Sequence, residues 1–147
     1  MASVSTYLNF DGTTEAAFNF YRDVFGTEFD APVQYMRDIP MAPGQTPLAE
    51  DEQGRVMHVS LPILAGHRLM GTDTIKSMGD EWSPGNTMSI NLQPDTRAET
   101  DRLFAALSEG GEPEMAPQEM FWGDYFGYCV DRFGTRWMFN CSEPAAG

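Results

Sequence analysis

Hydrophobic and polar positions divide the chain into short alternating runs separated by two stretches of helical period. Val4 to Phe10 alternates as a strand does, and Asp11-Gly12 ends it with a turn. Thr13 or Thr14 can then cap a helix on which Ala16, Ala17, Phe20, Tyr21 and Val24 lay an apolar face, until Gly26 stops it. Val33 to Ile39 reads as a further strand, and Pro40 to Pro47 as loop. Arg55 to Leu64 and His67 to Thr74 read as a hairpin around Ala65-Gly66. The stretch from Ile75 to Gly85 has no period and reads as a linker.

From Asn86 the scheme starts again. Thr87 to Leu92 reads as a strand, Gln93-Pro94 as a turn, and Asp95 or Thr96 as the cap of a helix carrying Leu103, Phe104 and Leu107 up to Gly110-Gly111. Pro113 to Pro117 interrupts, and Tyr125 to Asp131 and Arg136 to Cys141 form two strands around Phe133-Gly134. The halves also match residue by residue. Asn9 aligns with Asn91 at an offset of 82, and Gly26 with Gly111 at 85, which makes the second copy about three residues longer there. Ala65 to Met70 aligns with Phe133 to Met138 at a constant 68. An internal repeat of strands around one helix predicts an α+β chain, residues 1–147 as a single domain, with one module over about 3–74, a linker over about 75–85 and a second module over about 86–142. Two such halves would pair into a curved mixed sheet with outer helices, leaving a concave face for a small ligand.

Composition narrows the partners. Twenty-two acidic residues against 9 basic ones give a net charge of −13, which repels phosphate backbones and anionic headgroups and argues against nucleic acid and membrane surfaces. No run approaches the roughly 18 apolar residues of a membrane span, and the N-terminus lacks the order of a signal peptide, so a cytoplasmic location is expected. Cys129 and Cys141 fall on neighbouring strands, where they could be cross-strand neighbours, and are expected as free buried thiols.

Several residues at these places match a known pattern: Tyr7, Leu8, Phe10, Gly12, Ala16, Phe20 and Tyr21; His58 before the first hairpin; Leu69, Met70 and Asp73; and Trp122-Gly123, Phe126-Gly127, Asp131, Phe133-Gly134 and Trp137. Together they closely resemble the PhnB-like branch of the vicinal oxygen chelate superfamily, also called 3-demethylubiquinone 3-methyltransferase-like. The resemblance covers nearly the whole chain. It implies two βαβββ modules in the glyoxalase/bleomycin resistance fold, a partly closed sheet around a pocket, and a homodimer. The sequence carries no Gly-rich strand-to-helix turn with a following acidic residue, the arrangement that a nucleotide-like cofactor such as S-adenosylmethionine usually needs.

Metal-dependent members of the superfamily use His and Glu ligands from the first and last strands of each module. Here the first-strand candidates are Ser5, Tyr7 or Asn9 and Thr87, Ser89 or Asn91, and the last-strand candidates are Met70 and Met138. None is a good ligand for a hard divalent ion, so no metal site of the usual kind and no cofactor are expected. His67 lies in a hairpin turn, whereas His58 lies within a strand beside Asp73 and could be a general base oriented by that carboxylate. Tyr7, Asn9, Ser89, Asn91 and Asn140 offer neutral hydrogen-bonding groups on strands expected to face the cleft. Phe121, Trp122, Tyr125, Phe126 and Tyr128 form an aromatic cluster that suits a pocket wall or a dimer core, and Met36, Met41, Met57, Met70, Met88, Met115, Met120 and Met138 supply adaptable thioethers. Tyr7, Asn9, Ser89, Asn91, Trp122, Tyr125, Met138 and Asn140 are therefore the expected ligand-binding residues.

Two functions fit. The first is a metal-free module that binds a small aromatic or amphipathic molecule. The alternative is a lyase, isomerase or dioxygenase that holds a divalent metal through His58, Asp73 and Glu119.

Overall fold

The structure is a computed structural model that describes residues 1–146. It divides into two compact units, residues 1–83 and 84–147. The first contains β1 (Thr6–Phe10), α1 (Thr14–Phe25), β2 (Gln34–Tyr35), the single turn α2 (Glu50–Gln53), β3 (Val56–Pro62) and β4 (Arg68–Asp73). Its sheet runs β1-β4-β3-β2, with β1 parallel to β4 and the other neighbours antiparallel. The second contains β5 (Ile90–Leu92), α3 (Arg97–Ser108), β6 (Glu112–Glu119), β7 (Tyr125–Val130) and β8 (Arg136–Cys141), with sheet order β5-β8-β7-β6 and the same directions. Both follow one βαβββ plan, the α+β class read from the sequence.

In the first unit α1 covers one face of the sheet. Phe18 and Tyr21 on the helix and Leu61 and Leu69 on the strands are fully buried, each contributing about 1.5–3 kcal/mol by leaving water. Phe18, rather than the half-buried Phe20 or the exposed Ala16, completes the helix's apolar stripe. Approach is closest at Gly71, where a Cβ would lie 2.5 Å from Phe18 Cε1. In the second unit Leu103 and Leu107 of α3 are buried, as are Trp137 and Phe139 of β8.

Strand register fixes the repeat. Leu61 pairs with Leu69 as Cys129 pairs with Trp137, so the hairpins correspond at the constant offset of 68. The first strands need a correction. Tyr7 lies opposite Met70 and Asn91 opposite Met138, so Tyr7 corresponds to Asn91, an offset of 84 rather than 82. The left-handed glycines that follow the helices are Gly26 and Gly110, again 84 apart, so the second copy carries no insertion between first strand and helix end. The paired Asn residues mislead because their positions in the register differ.

Other expectations also change. The strand expected over Val33 to Ile39 is only two residues long, because Asp38 Oδ2 accepts the Tyr35 N–H at 3.0 Å and folds the chain into a 3-10 turn over Met36–Asp38. The expected interruption at Pro113 to Pro117 is instead part of β6. As an edge strand with register shifts, β6 tolerates residues that cannot donate. Cys129 and Cys141 are both buried but pair across the sheet with Trp137 and Tyr125, so they are not neighbours. Burial and nearby carboxylates push the Cys129 thiol up to about 12, which leaves it inert as a nucleophile. Within the stretch read as linker, Ile75 is buried and the Trp82 indole N–H donates to the Asn9 carbonyl at 2.7 Å.

Candidate functional site

The face of the first sheet turned away from α1 carries Tyr7 and Asn9 from β1, Met70 and Thr72 from β4, and His58 from β3. Gln34 pairs with His58 and Tyr35 with Val56, so Met57 is the extra residue of a β-bulge. The bulge lets Val56 and Val59 both enter the core while Met57 and His58 stay half-buried. Tyr7 Oη and His58 Nδ1 lie 3.1 Å apart, with ring centroids 5.9 Å apart. Partial burial raises the Tyr7 phenol above its ordinary pKa, so it remains a neutral hydroxyl in this pair.

Asp73 does not orient His58. Its Oδ1 accepts from the Gly12 N–H at 3.0 Å, the Thr14 N–H at 3.1 Å and the Thr14 hydroxyl at 2.7 Å, and its Oδ2 accepts from the Val56 N–H at 2.8 Å. The expected acid–base pair is replaced by an anchor. The carboxylate satisfies the amides at the start of α1, a task expected of Thr13 or Thr14, and Thr13 makes no side-chain cap. By contrast, α3 is capped by its own Thr96, which accepts from the Glu99 N–H at 3.1 Å.

In the second unit Asn91 of β5 is opposite Met138 of β8, which is opposite Tyr128 of β7. Asn140 shares that face and donates to Asp124 at 3.0 Å. Ser89 is exposed in the segment before β5. Trp122 packs edge-on against Phe121 and Phe126 at the β6–β7 turn. Tyr125 differs from the expectation: its hydroxyl donates to Asp101 of α3 at 2.6 Å, and Arg97 of α3 lies 4.8 Å from its ring centroid, so it belongs to the helix-covered face. That hydrogen bond raises the Tyr125 phenol's pKa.

A divalent ion held as in metal-dependent members of the fold needs hard donors at first- and last-strand positions. The residues there, Tyr7 opposite Met70 and Asn91 opposite Met138, supply a phenol, a carboxamide and two thioethers, and do not fit such an ion. In the alternative set of His58, Asp73 and Glu119, both carboxylates already have partners. Asp73 is spent on α1 and β3, and Glu119 pairs with Arg97 at 3.2 Å. Among the described residues, no group of three or more His, Cys, Asp or Glu is placed to hold a metal ion.

The first unit also contains a cavity of about 530 Å³ that sequence reasoning did not locate. Met36, Ile39, Met41 and Leu48 line it from the segment after β2, Met57 from the β3 bulge, and Met78 from the 3-10 turn after β4. Ile39, Met41 and Met78 are exposed, so this wall presents apolar surface to water. Three of these methionines belong to the set singled out in the sequence and Met78 does not. A usable signal was present: a long connection carrying Met36, Ile39, Met41 and Leu48 among its prolines is more apolar than a plain surface loop.

A family model described as 3-demethylubiquinone-9 3-methyltransferase matches residues 2–139. Protein YjdN of Escherichia coli (strain K12) is 28% identical over 149 residues, covering 93% of each chain. Protein PA1353 from Pseudomonas aeruginosa has a similar structure, with a TM-score of 0.81 and 32% identity over 96% of this chain and 98% of that one. The PhnB protein from Bacillus cereus superposes with a TM-score of 0.71 at 24% identity, covering 95% and 99%. The fold is that of glyoxalase/bleomycin resistance proteins, shared at 17% and 9% identity with proteins of that description from Burkholderia phytofirmans and Frankia. Among the described residues no helix is long and apolar enough to cross a membrane.

Proposed function

The chain belongs to the 3-demethylubiquinone-9 3-methyltransferase family, and from its glyoxalase/bleomycin resistance fold we propose that it is a small-molecule-binding protein that works without a bound metal or nucleotide-like cofactor. The observation that carries this reading is the cavity of about 530 Å³ lined by methionines and aliphatic side chains, a volume within the usual range for small-ligand sites. Unbranched thioethers adapt to a flat or irregular apolar body. Two further features support the cofactor-free reading. The amides at the start of α1, which an anionic cofactor group would use, already donate to Asp73, and the first- and last-strand positions hold no hard metal ligands. A net charge of −13 favours a small-molecule partner over nucleic acid or membrane.

The same reading takes the working form as a homodimer, supported by the exposed aromatic pair Phe121 and Trp122. Fluorescence titration of the EDTA-treated protein with N-phenyl-1-naphthylamine, a neutral aromatic probe, tests the cavity. Saturable binding is expected, with loss of about tenfold or more in affinity when Met57→Trp fills the space. Absence of binding, or binding indifferent to that substitution, would refute the reading. So would a stoichiometric metal whose removal lowers Tm.

A further inference from the structure

Resting on the cavity reading above, we propose that the ligand of this site is an amphipathic anion: an apolar body carrying one acidic group, held by Arg37. The polar side chains of the lining decide its chemistry. Gln53 Nε2 donates to the Leu48 carbonyl at 2.9 Å, and Gln45 Oε1 accepts from the Ala42 N–H at 2.9 Å. The Thr72 hydroxyl donates to the Val56 carbonyl at 3.2 Å. Asp73 is saturated by the groups at Gly12, Thr14 and Val56, and Asp80 Oδ2 accepts from the Ile75 N–H at 2.7 Å. Each of these groups makes at least one hydrogen bond that holds the wall together. Arg37 lines the same cavity with a guanidinium that donates to no acceptor among the described residues.

Arg37 also lacks the nearby carboxylate that most arginines of this chain have. Arg22, Arg55, Arg68, Arg97, Arg102 and Arg136 each lie within 3.7 Å of a carboxylate. Acidic residues outnumber basic ones 22 to 9, yet Arg37 forms no ion pair among the described residues. Arg37 instead stacks on Tyr35, with its guanidinium carbon 4.5 Å from the ring centroid. Stacking restrains the plane of the fork while leaving its N–H donors at the edge, the arrangement that suits two-point capture of a carboxylate, phosphate or sulfonate. The methionines would meet the apolar body of the same molecule. An acid without an apolar body would face the repulsive field of the whole protein and gain only one contact.

Two probes that share one aromatic skeleton test this. Titrations with 8-anilinonaphthalene-1-sulfonate, which bears an acidic group, run beside titrations with the neutral N-phenyl-1-naphthylamine, on the full chain and on Arg37→Gln and Arg37→Lys. Arg37 is exposed, so both variants should fold. Arg37→Gln is expected to weaken the sulfonate about tenfold or more while shifting the neutral probe by less than about twofold, and Arg37→Lys is expected to restore part of the loss. Met57→Trp should weaken both probes. Equal effects of Arg37→Gln on the two probes, no effect on the sulfonate, or no sulfonate binding beside good neutral binding would each overturn the anion inference alone. Failure of the neutral probe would overturn the cavity reading and this inference with it.

Discussion

Asp30 ties the segment after α1 to the β3–β4 hairpin through one carboxylate, whose Oδ2 accepts from the Ser60 hydroxyl at 2.6 Å and from Arg68 Nε at 2.8 Å. The Arg68 hydrogen bond, followed by that of Ser60, holds the Asp30 pKa below its ordinary value. Because the folded pKa is depressed, the stabilisation is fully present above the unfolded value of about 3.9 and is lost as pH falls through the lower folded value. Asp30→Asn should therefore lower Tm at pH 7, with the gap to the parent closing in acid below about pH 4. A gap that stays constant down to pH 2.5 in thermal melts would show that the carboxylate's charge is not what matters. At this scale His58 shows how far residue types could be read. Its position within a strand was legible from the hairpin around Ala65-Gly66, but its partner was not. Tyr7 reaches it through the sheet register, whereas Asp73, adjacent in the pattern, is drawn away by the amides at the start of α1.

Packing of α1 onto β4 rests on a position without a side chain. A Cβ on Gly71 would fall 2.5 Å from Phe18 Cε1 and 3.2 Å from Thr14 Cγ2, so Gly71→Ala should destabilise the fold by about 1–3 kcal/mol through overpacking. Phe18→Leu in the same chain should recover part of that loss, and urea denaturation of the four proteins of this cycle would read the coupling. Additive losses would mean that helix and strand simply move apart. The elements with clear signals, such as both helices and both hairpins, were legible because hydrophobic period and turn glycines agree there. Three elements were not. β2 is cut short by the Asp38 side chain, β6 hides two prolines by lying at a sheet edge, and α2 is a single turn with no period to detect. The cavity was illegible for a related reason: its wall comes from the connection after β2 and from a bulge at Met57, both of which lie outside regular alternation.

For the whole chain, a net charge of −13 means that a homodimer would bring together two strongly acidic molecules. Sedimentation velocity at micromolar concentration should show a dimer that tightens as salt is raised and screens the repulsion, and that weakens when Phe121 and Trp122 are both changed to Ser. A monomeric mass at all salt concentrations would remove the dimer from the proposal. The anchor at Asp73 bears on how such a chain is made. It joins Gly12 and Thr14 to a carboxylate about sixty positions later and to the Val56 amide between them. Synthesis runs from the N-terminus, so α1 leaves the ribosome well before the group that completes its first turn. The opening helix must therefore wait, marginal by itself at 12 residues, until β4 has been translated. The first unit can close only as a whole, and a truncation anywhere before residue 73 leaves its first helix without an anchor.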